Sequence, residues 1–291
     1  MTELLLSVLC SSSIFVFFKL FDRLGINTFQ AIVFNYLTAF GIGIGLYGDQ
    51  WNSEALQEYQ WMYFACGVGI LFISLFFIMG RSSQRNGVAS TSVAVKMSMA
   101  VSVVIMIFLY KETTGWMKLS GIALAFIGVY LVSVPDKKST RGKSALWMLC
   151  ILFLGSGGLD FTLNYVQNYH LQVINASLFS AFGFGCAGAI GSLILIPGLV
   201  RKTQKIQLKN IIAGVLLGIP NYFSIYLLIR SYETTGWSDS TVLAVTNVSV
   251  VLLTGLTGFL AFRESMHRTK TIGFISAIFA IVLLYYANLN S

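Results

Sequence analysis

The sequence predicts an all-α membrane protein of ten transmembrane helices, built as two inverted five-helix repeats. Three observations carry that prediction. Of 291 residues, 56% are hydrophobic and 10% are charged, whereas a soluble chain carries about 25% charged residues. So few charges cannot cover a water-facing surface, and lipid must serve as solvent. Apolar runs long enough to cross a hydrocarbon core ~30 Å thick recur ten times along the chain. Finally, motifs of the first five runs reappear in the last five.

The runs lie at about 4–21, 28–47, 60–80, 87–110, 115–134, 144–166, 173–199, 210–230, 237–262 and 270–289. The first lacks a basic leader and a small-residue cleavage site, so it reads as a retained helix. Asp49-Gln50-Trp51-Asn52-Ser53-Glu54 is too polar to insert and closes the second run. Pro135 and the polar residues up to Arg141 end the fifth. A linker at 137–143 therefore separates a first repeat, 1–136, from a second, 144–291.

The net charge of +8 comes from basic residues in short loops between apolar runs. That pattern suits anionic lipid headgroups and membrane topology, and it forms no stripe for nucleic acid. Cys10, Cys66, Cys150 and Cys186 all fall in apolar runs and read as small core residues, with neither a disulfide framework nor metal-ligand spacing.

Gly69-Ile70, Arg81-Ser82 and Gly87 recur at one offset as Gly218-Ile219, Arg230-Ser231 and Gly236. Phe34-Asn35 corresponds to Phe179-Ser180, and the Phe108–Glu112 stretch to Leu260–Glu264. Five helices per copy is an odd number, so the second copy must enter the membrane inverted. The loops agree. Asp49, Glu54 and Glu58 follow the second run, whereas Arg201, Lys202, Lys205 and Lys209 follow the seventh. Inverted repeats with polar groups near the midplane are the usual build of secondary transporters.

Lys96 is the one charge within GVASTSVAVKMSMAVSVVIMIF, residues 87–108. Nine residues into the fourth run is about 13 Å of rise, and an ammonium at such depth costs at least ~2.5 kcal/mol. A binding or proton-coupling role offsets that cost better than snorkelling, which reaches poorly from there. Its repeat mate falls at Thr246 or Asn247, which are uncharged. Asp160, Asn164 and Gln167 share one face of the sixth helix. Asp160 is the natural counter-charge to Lys96, although residue counting separates the two by about 10 Å in depth. Pro220 breaks the hydrogen-bond ladder mid-span in the eighth helix, beside Asn221 and Tyr222, which are candidate substrate contacts. Asn35 and Asn247 are further candidates, each equally able to join helices. Glu112 and Glu264 read as loop anchors at equivalent helix ends. Lys19 and Arg23 read as snorkelling side chains, and His170 and His267 lie in loops without clustered ligands. No nucleophile–base set, carboxylate pair or metal set is visible, so neither an enzyme nor a bound cofactor or metal is expected.

The fourth-to-fifth-helix segment FLYKETTGWMKLSGIALAFIGVYLVSVP and its copy FLAFRESMHRTKTIGFISAIFAIVLLYYA resemble EamA-type carriers of the drug/metabolite transporter superfamily. The third-helix ending IMGRSSQRNG and its copy LIRSYETTG are similar to that family too. The resemblance spans nearly the whole chain and implies ten helices around a central cavity. One departure is Asn35, where second helices of the family often carry arginine.

The sequence thus points to a secondary active transporter of the plasma (inner) membrane, moving a small metabolite by alternating access. Lys96 favours an amino acid or a related anionic or zwitterionic compound, with a coupling proton or ion. The 23 Phe and 13 Tyr suit an alternative, an exporter of cationic or drug-like compounds through an aromatic cavity. A channel or a non-transporting scaffold is the remaining alternative.

Orientation yields a first prediction. Loops after odd-numbered runs hold most of the basic residues, which places them in the cytoplasm and both termini outside. The resemblance implies both termini in the cytoplasm. The charge bias is the stronger term, so alkaline phosphatase fused after Ser291 should be active. A fluorescent cytoplasmic fusion at the same point would reverse the assignment.

Overall fold

The structure, a computed structural model, describes residues 1–48, 60–110, 115–133, 146–169, 176–235, 239–264 and 268–289. The acidic loop, Glu112, the linker, His170 and His267 lie outside the described residues. The described residues form helices and no strand: α1 Thr2–Arg23, α2 Thr28–Tyr47, α3 Gln60–Arg85, α4 Val88–Met97, α5 Met99–Tyr110, α6 Trp116–Ser133, α7 Leu146–Tyr169, α8 Ala176–Val200, α9 Leu208–Thr234, α10 Asp239–Leu260 and α11 Arg268–Leu289. Seven of them (α1, α2, α3, α7, α8, α9 and α11) are long and apolar enough to cross a membrane. The fourth apolar run does not form one continuous helix. It divides at Ser98 into α4 and α5.

Two compact units emerge, each drawing on both halves of the sequence. One comprises Met1–Lys19, Ile78–Phe161 and Leu227–Ser291, and the other Leu20–Phe77 and Thr162–Tyr226.

In the second unit, α2 packs along α8 through a glycine seam. Gly191 meets Val33, Gly188 meets Leu37, Gly185 meets Phe40, and Gly43 meets Ala181. The residue numbers run in opposite senses, so the pair is antiparallel. α2 also packs against α9, where Gly214 meets Ala31 and Phe34, and Gly218 meets Asn35 and Thr38. That pair is parallel. Small residues dominate because lipid tails are as apolar as leucine, and close backbone approach replaces hydrophobic driving force. Tyr36 fills the middle of this unit. Its ring lies 5.8 Å from that of Phe184, and its hydroxyl donates to the Phe72 carbonyl at 2.8 Å. Asn27 caps α2 by accepting from the Gln30 N–H. Asn210 then ties the start of α9 to the start of α2, donating to Gln30 Oε1 at 2.7 Å.

A Cβ at Gly214 would sit 2.6 Å from the Ala31 carbonyl oxygen. Gly214→Ala must push two backbones apart, and should cost about 1–3 kcal/mol. Reversible unfolding in mixed micelles measures it. A loss under about 0.5 kcal/mol, the usual range of a surface substitution, would show that the seam yields easily.

In the first unit, α6 and α11 cross antiparallel, with Gly121 against Leu284 and Gly128 against Gly273 and Ala277. Val93, Met97, Ala125, Phe153, Val251 and Ile281 belong to the buried core of this unit. α4 and α10 also run antiparallel: Ala89 lies near Gly258, and Thr254 Oγ1 donates to Ser92 Oγ at 2.6 Å.

The cysteines depart from the expected core role. Cys66 and Cys150 are exposed, and Cys10 and Cys186 are half-buried. Exposure costs them little when the surrounding solvent is lipid, because a thiol behaves there as a small apolar group.

Candidate substrate and coupling site

The site begins at the start of α4. Gly87 takes φ = 98°, a conformation that favours glycine, and α4 has no side-chain cap of its own. Its first N–H groups need partners. Glu264, from the turn after α10, supplies them by accepting from Val88 N–H at 2.7 Å and Ala89 N–H at 3.3 Å. The carboxylate also sits at the positive end of the helix dipole. Lys19 completes the arrangement. Its ammonium lies 3.9 Å from Glu264 Oε1 and donates to the Gln84 carbonyl at 3.0 Å. Lys19 is 7% exposed, so it does not snorkel. It is a buried cation held by a carboxylate far away in the sequence. Glu264 is thus the anchor that its position at a helix end suggested.

Lys96 stands in the last turn of α4 and is half-buried. Ending the helix there answers the question its depth raised. The free carbonyls of a helix C-terminus carry partial negative charge and favour a cation in the last turn. The chain restarts at once: the Ser98 carbonyl accepts from Val101 N–H at 2.8 Å and Ser102 N–H at 3.2 Å. Gly157 of α7 packs directly on this break, where a Cβ would lie 2.6 Å from the Ser98 carbonyl oxygen and 2.5 Å from the Val101 Cβ.

Asp160 follows Gly157 by one turn of α7. Its Oδ2 lies 3.1 Å from Ser98 Oγ, and its charge interacts with that of Lys96 without forming a close ion pair. Residue counting puts Lys96 and Asp160 about 10 Å apart in depth; contact of α7 with the divided run sets Asp160 against Ser98, two residues after Lys96. Asp160 is exposed on α7.

The remaining candidates do not converge on this point. Asn247 is buried and donates to Met99 Sδ at 3.7 Å, and its neighbour Thr246 is buried beside it. Asn35 is fully buried, and among the described residues neither its Oδ1 nor its Nδ2 has a hydrogen-bond partner. Asn221 is 3% exposed, its carbonyl accepts from Ser224, and its Nδ2 has no acceptor among the described residues. Tyr222 is 2% exposed and packs against Gly43. Asn164 lies on α7 four residues after Asp160, but its side chain, like that of Gln167, is outside the described residues. α9 continues through Pro220, and α8 holds a second intrahelical proline, Pro197, near its end.

Pro220→Ala restores a backbone donor and removes a ring clash. It should raise stability or leave it unchanged, while altering the transport rate several-fold if the interruption serves motion. A wild-type rate in proteoliposomes would assign Pro220 to packing alone.

Sequence reasoning missed Ser98, Gly157 and the Lys19–Glu264 pair. A serine flanked by apolar residues and a Gly157-Gly158 pair near Asp160 were the available signals, and neither names its partner.

Seven described helices of this length and hydropathy fit a multi-pass membrane protein. Residues 3–134 match the EamA-like transporter family. That match covers slightly less than half of the chain, and it is a similarity to transporters of this family. The chain is 26% identical to an uncharacterized protein of Haemophilus influenzae over 98% of both chains. It is also 26% identical to the glucose uptake protein GlcU of Staphylococcus xylosus, over 73% of this chain and 74% of that one. A crystal structure superposes over 96% of each chain with a TM-score of 0.58 at 12% identity, a likeness of fold alone.

Proposed function

We propose that this protein is a secondary active carrier of a small polar metabolite in the plasma (inner) membrane. The observation that carries the reading is the divided fourth span, which gathers Lys96, Ser98 and Asp160 at one place. Discontinuous helices are where secondary transporters bind substrate and coupling ions, because free helix ends offer polar backbone groups inside the membrane.

Ten spans in two inverted repeats, divided near residues 137–143, remain the favoured architecture. Its support is that α2 with α8, α4 with α10, and α6 with α11 are each equivalent by the sequence repeat and each packed antiparallel. Inversion demands that relation. Alternating access follows as the working motion, with the site exposed first to one side and then to the other.

Lys96 suits the carboxylate of an amino acid or a related anionic or zwitterionic metabolite. A neutral sugar is the second reading. It is favoured by the likeness to a glucose uptake protein and by the buried amides of Asn35 and Asn221, which offer uncharged hydrogen bonds.

Counterflow in proteoliposomes separates the readings. Vesicles preloaded with mixed unlabelled L-amino acids should take up a labelled amino acid transiently and saturably. Counterflow with D-glucose alone would transfer the assignment to the sugar reading. Absence of saturable flux with either would refute a carrier of this substrate range.

A further inference from the structure

Ser98 carries one hydroxyl proton and faces two acceptors. Its Oγ lies 2.6 Å from the Val95 carbonyl oxygen and 3.1 Å from Asp160 Oδ2. A single O–H cannot serve both, and an ionised carboxylate accepts only. The arrangement is therefore complete in one of two ways. With Asp160 ionised, Ser98 donates to Oδ2 and leaves Val95, one of the last carbonyls of α4, without that donor. With Asp160 protonated, the carboxyl O–H donates to Ser98 Oγ, and the Ser98 O–H turns back onto Val95. Resting on the carrier reading above, we propose that Asp160 and Ser98 form the proton-binding site of the transport cycle, and that proton uptake at Asp160 redirects the Ser98 hydroxyl across the break between α4 and α5.

The charges around the site explain why a proton would be coupled to substrate. Among the described residues, Lys96 of α4 is the charged group that acts on Asp160, and Ser98 is its hydrogen-bonding neighbour. While Asp160 is ionised, it compensates the ammonium of Lys96. Protonation removes that compensation and leaves Lys96 free to receive a substrate carboxylate. One proton and one carboxylate then bind together and keep the charge of the site unchanged. Gly157 keeps the two partners within reach, since a Cβ there would strike the Ser98 carbonyl. Ser98 is thus a positioning residue acting through Asp160.

Infrared difference spectroscopy of the purified full-length protein in lipid, recorded during a pH titration, tests this without any substrate. Acidification of the wild type should produce a protonated-carboxyl band that is lost in Asp160→Asn. Ser98→Ala should shift that band in frequency and in midpoint pH, whereas Ser98→Thr, which keeps the hydroxyl, should restore it. Alanine replaces serine with less steric change than threonine, so a packing role predicts the opposite order. A band unaltered in both Asp160→Asn and Ser98→Ala overturns the inference. Size-exclusion profiles and helical circular dichroism establish that each variant is folded. The two readings fail separately: a titrating Asp160 band without counterflow strikes the carrier, whereas counterflow without the band strikes the proton site alone.

Discussion

Lys96→Ala should lower the transport rate by about 30-fold or more while leaving yield and helicity near normal. Truncating one member of a charge pair at a binding site costs about 2–5 kcal/mol, and about 1.4 kcal/mol is a factor of ten. On the proposed function, two partners lose their cation at once: the substrate carboxylate and the carbonyl end of α4. Folding should suffer little, because the residue is half-buried and its nearest counter-charge is not in close contact. Lys96→Arg keeps the charge but replaces a compact ammonium with a planar fork that needs more room. It should recover part of the rate. Initial rates of counterflow, normalised to reconstituted protein, provide the comparison, and an unchanged rate in Lys96→Ala would remove this residue from the mechanism.

Glu264→Ala should be the most destabilising single substitution considered, at about 3–5 kcal/mol. That is the usual cost of removing one member of a buried ion pair. Lys19 and Glu264 keep side-chain exposures of only 9% and 14%. The alanine variant leaves a buried ammonium uncompensated and two N–H groups at the start of α4 without acceptors. Glu264→Gln keeps one acceptor and should cost less. Adding Lys19→Met to Glu264→Gln should recover much of the remainder, because the unpaired charge is then gone. Unfolding midpoints in mixed micelles across this set form a double-mutant cycle. A Glu264→Ala variant as stable as the wild type would refute the assigned anchor.

The contrast between Lys96 and Lys19 shows how far the residue pattern could be read. Both are lysines in apolar runs. Lys96 could be singled out because position within a run is one-dimensional information: counting residues gives an expected depth. Lys19 was misread as snorkelling, because its position near a helix end looked like an interface. What holds it, Glu264 and the Gln84 carbonyl, lies in distant segments that no local pattern links. Asp160 falls between these cases. Its charge within an apolar helix marked it, but counting could not show its contact with Ser98.

By itself the sequence determined the solvent, the helical class, and the rare charges within apolar helices. These follow from composition and periodicity, which membrane partitioning reads segment by segment: each run must satisfy its own backbone hydrogen bonds in lipid. Tertiary structure alone decided where the fourth run divides, which lysine is buried with a partner, and that Asp160 reaches Ser98, a contact between residues 62 apart. The physical reason is that helix association in lipid depends on the fit of small residues such as Gly157 against a particular facing backbone. A glycine in the sequence announces that something comes close, and only the packed chain shows what does.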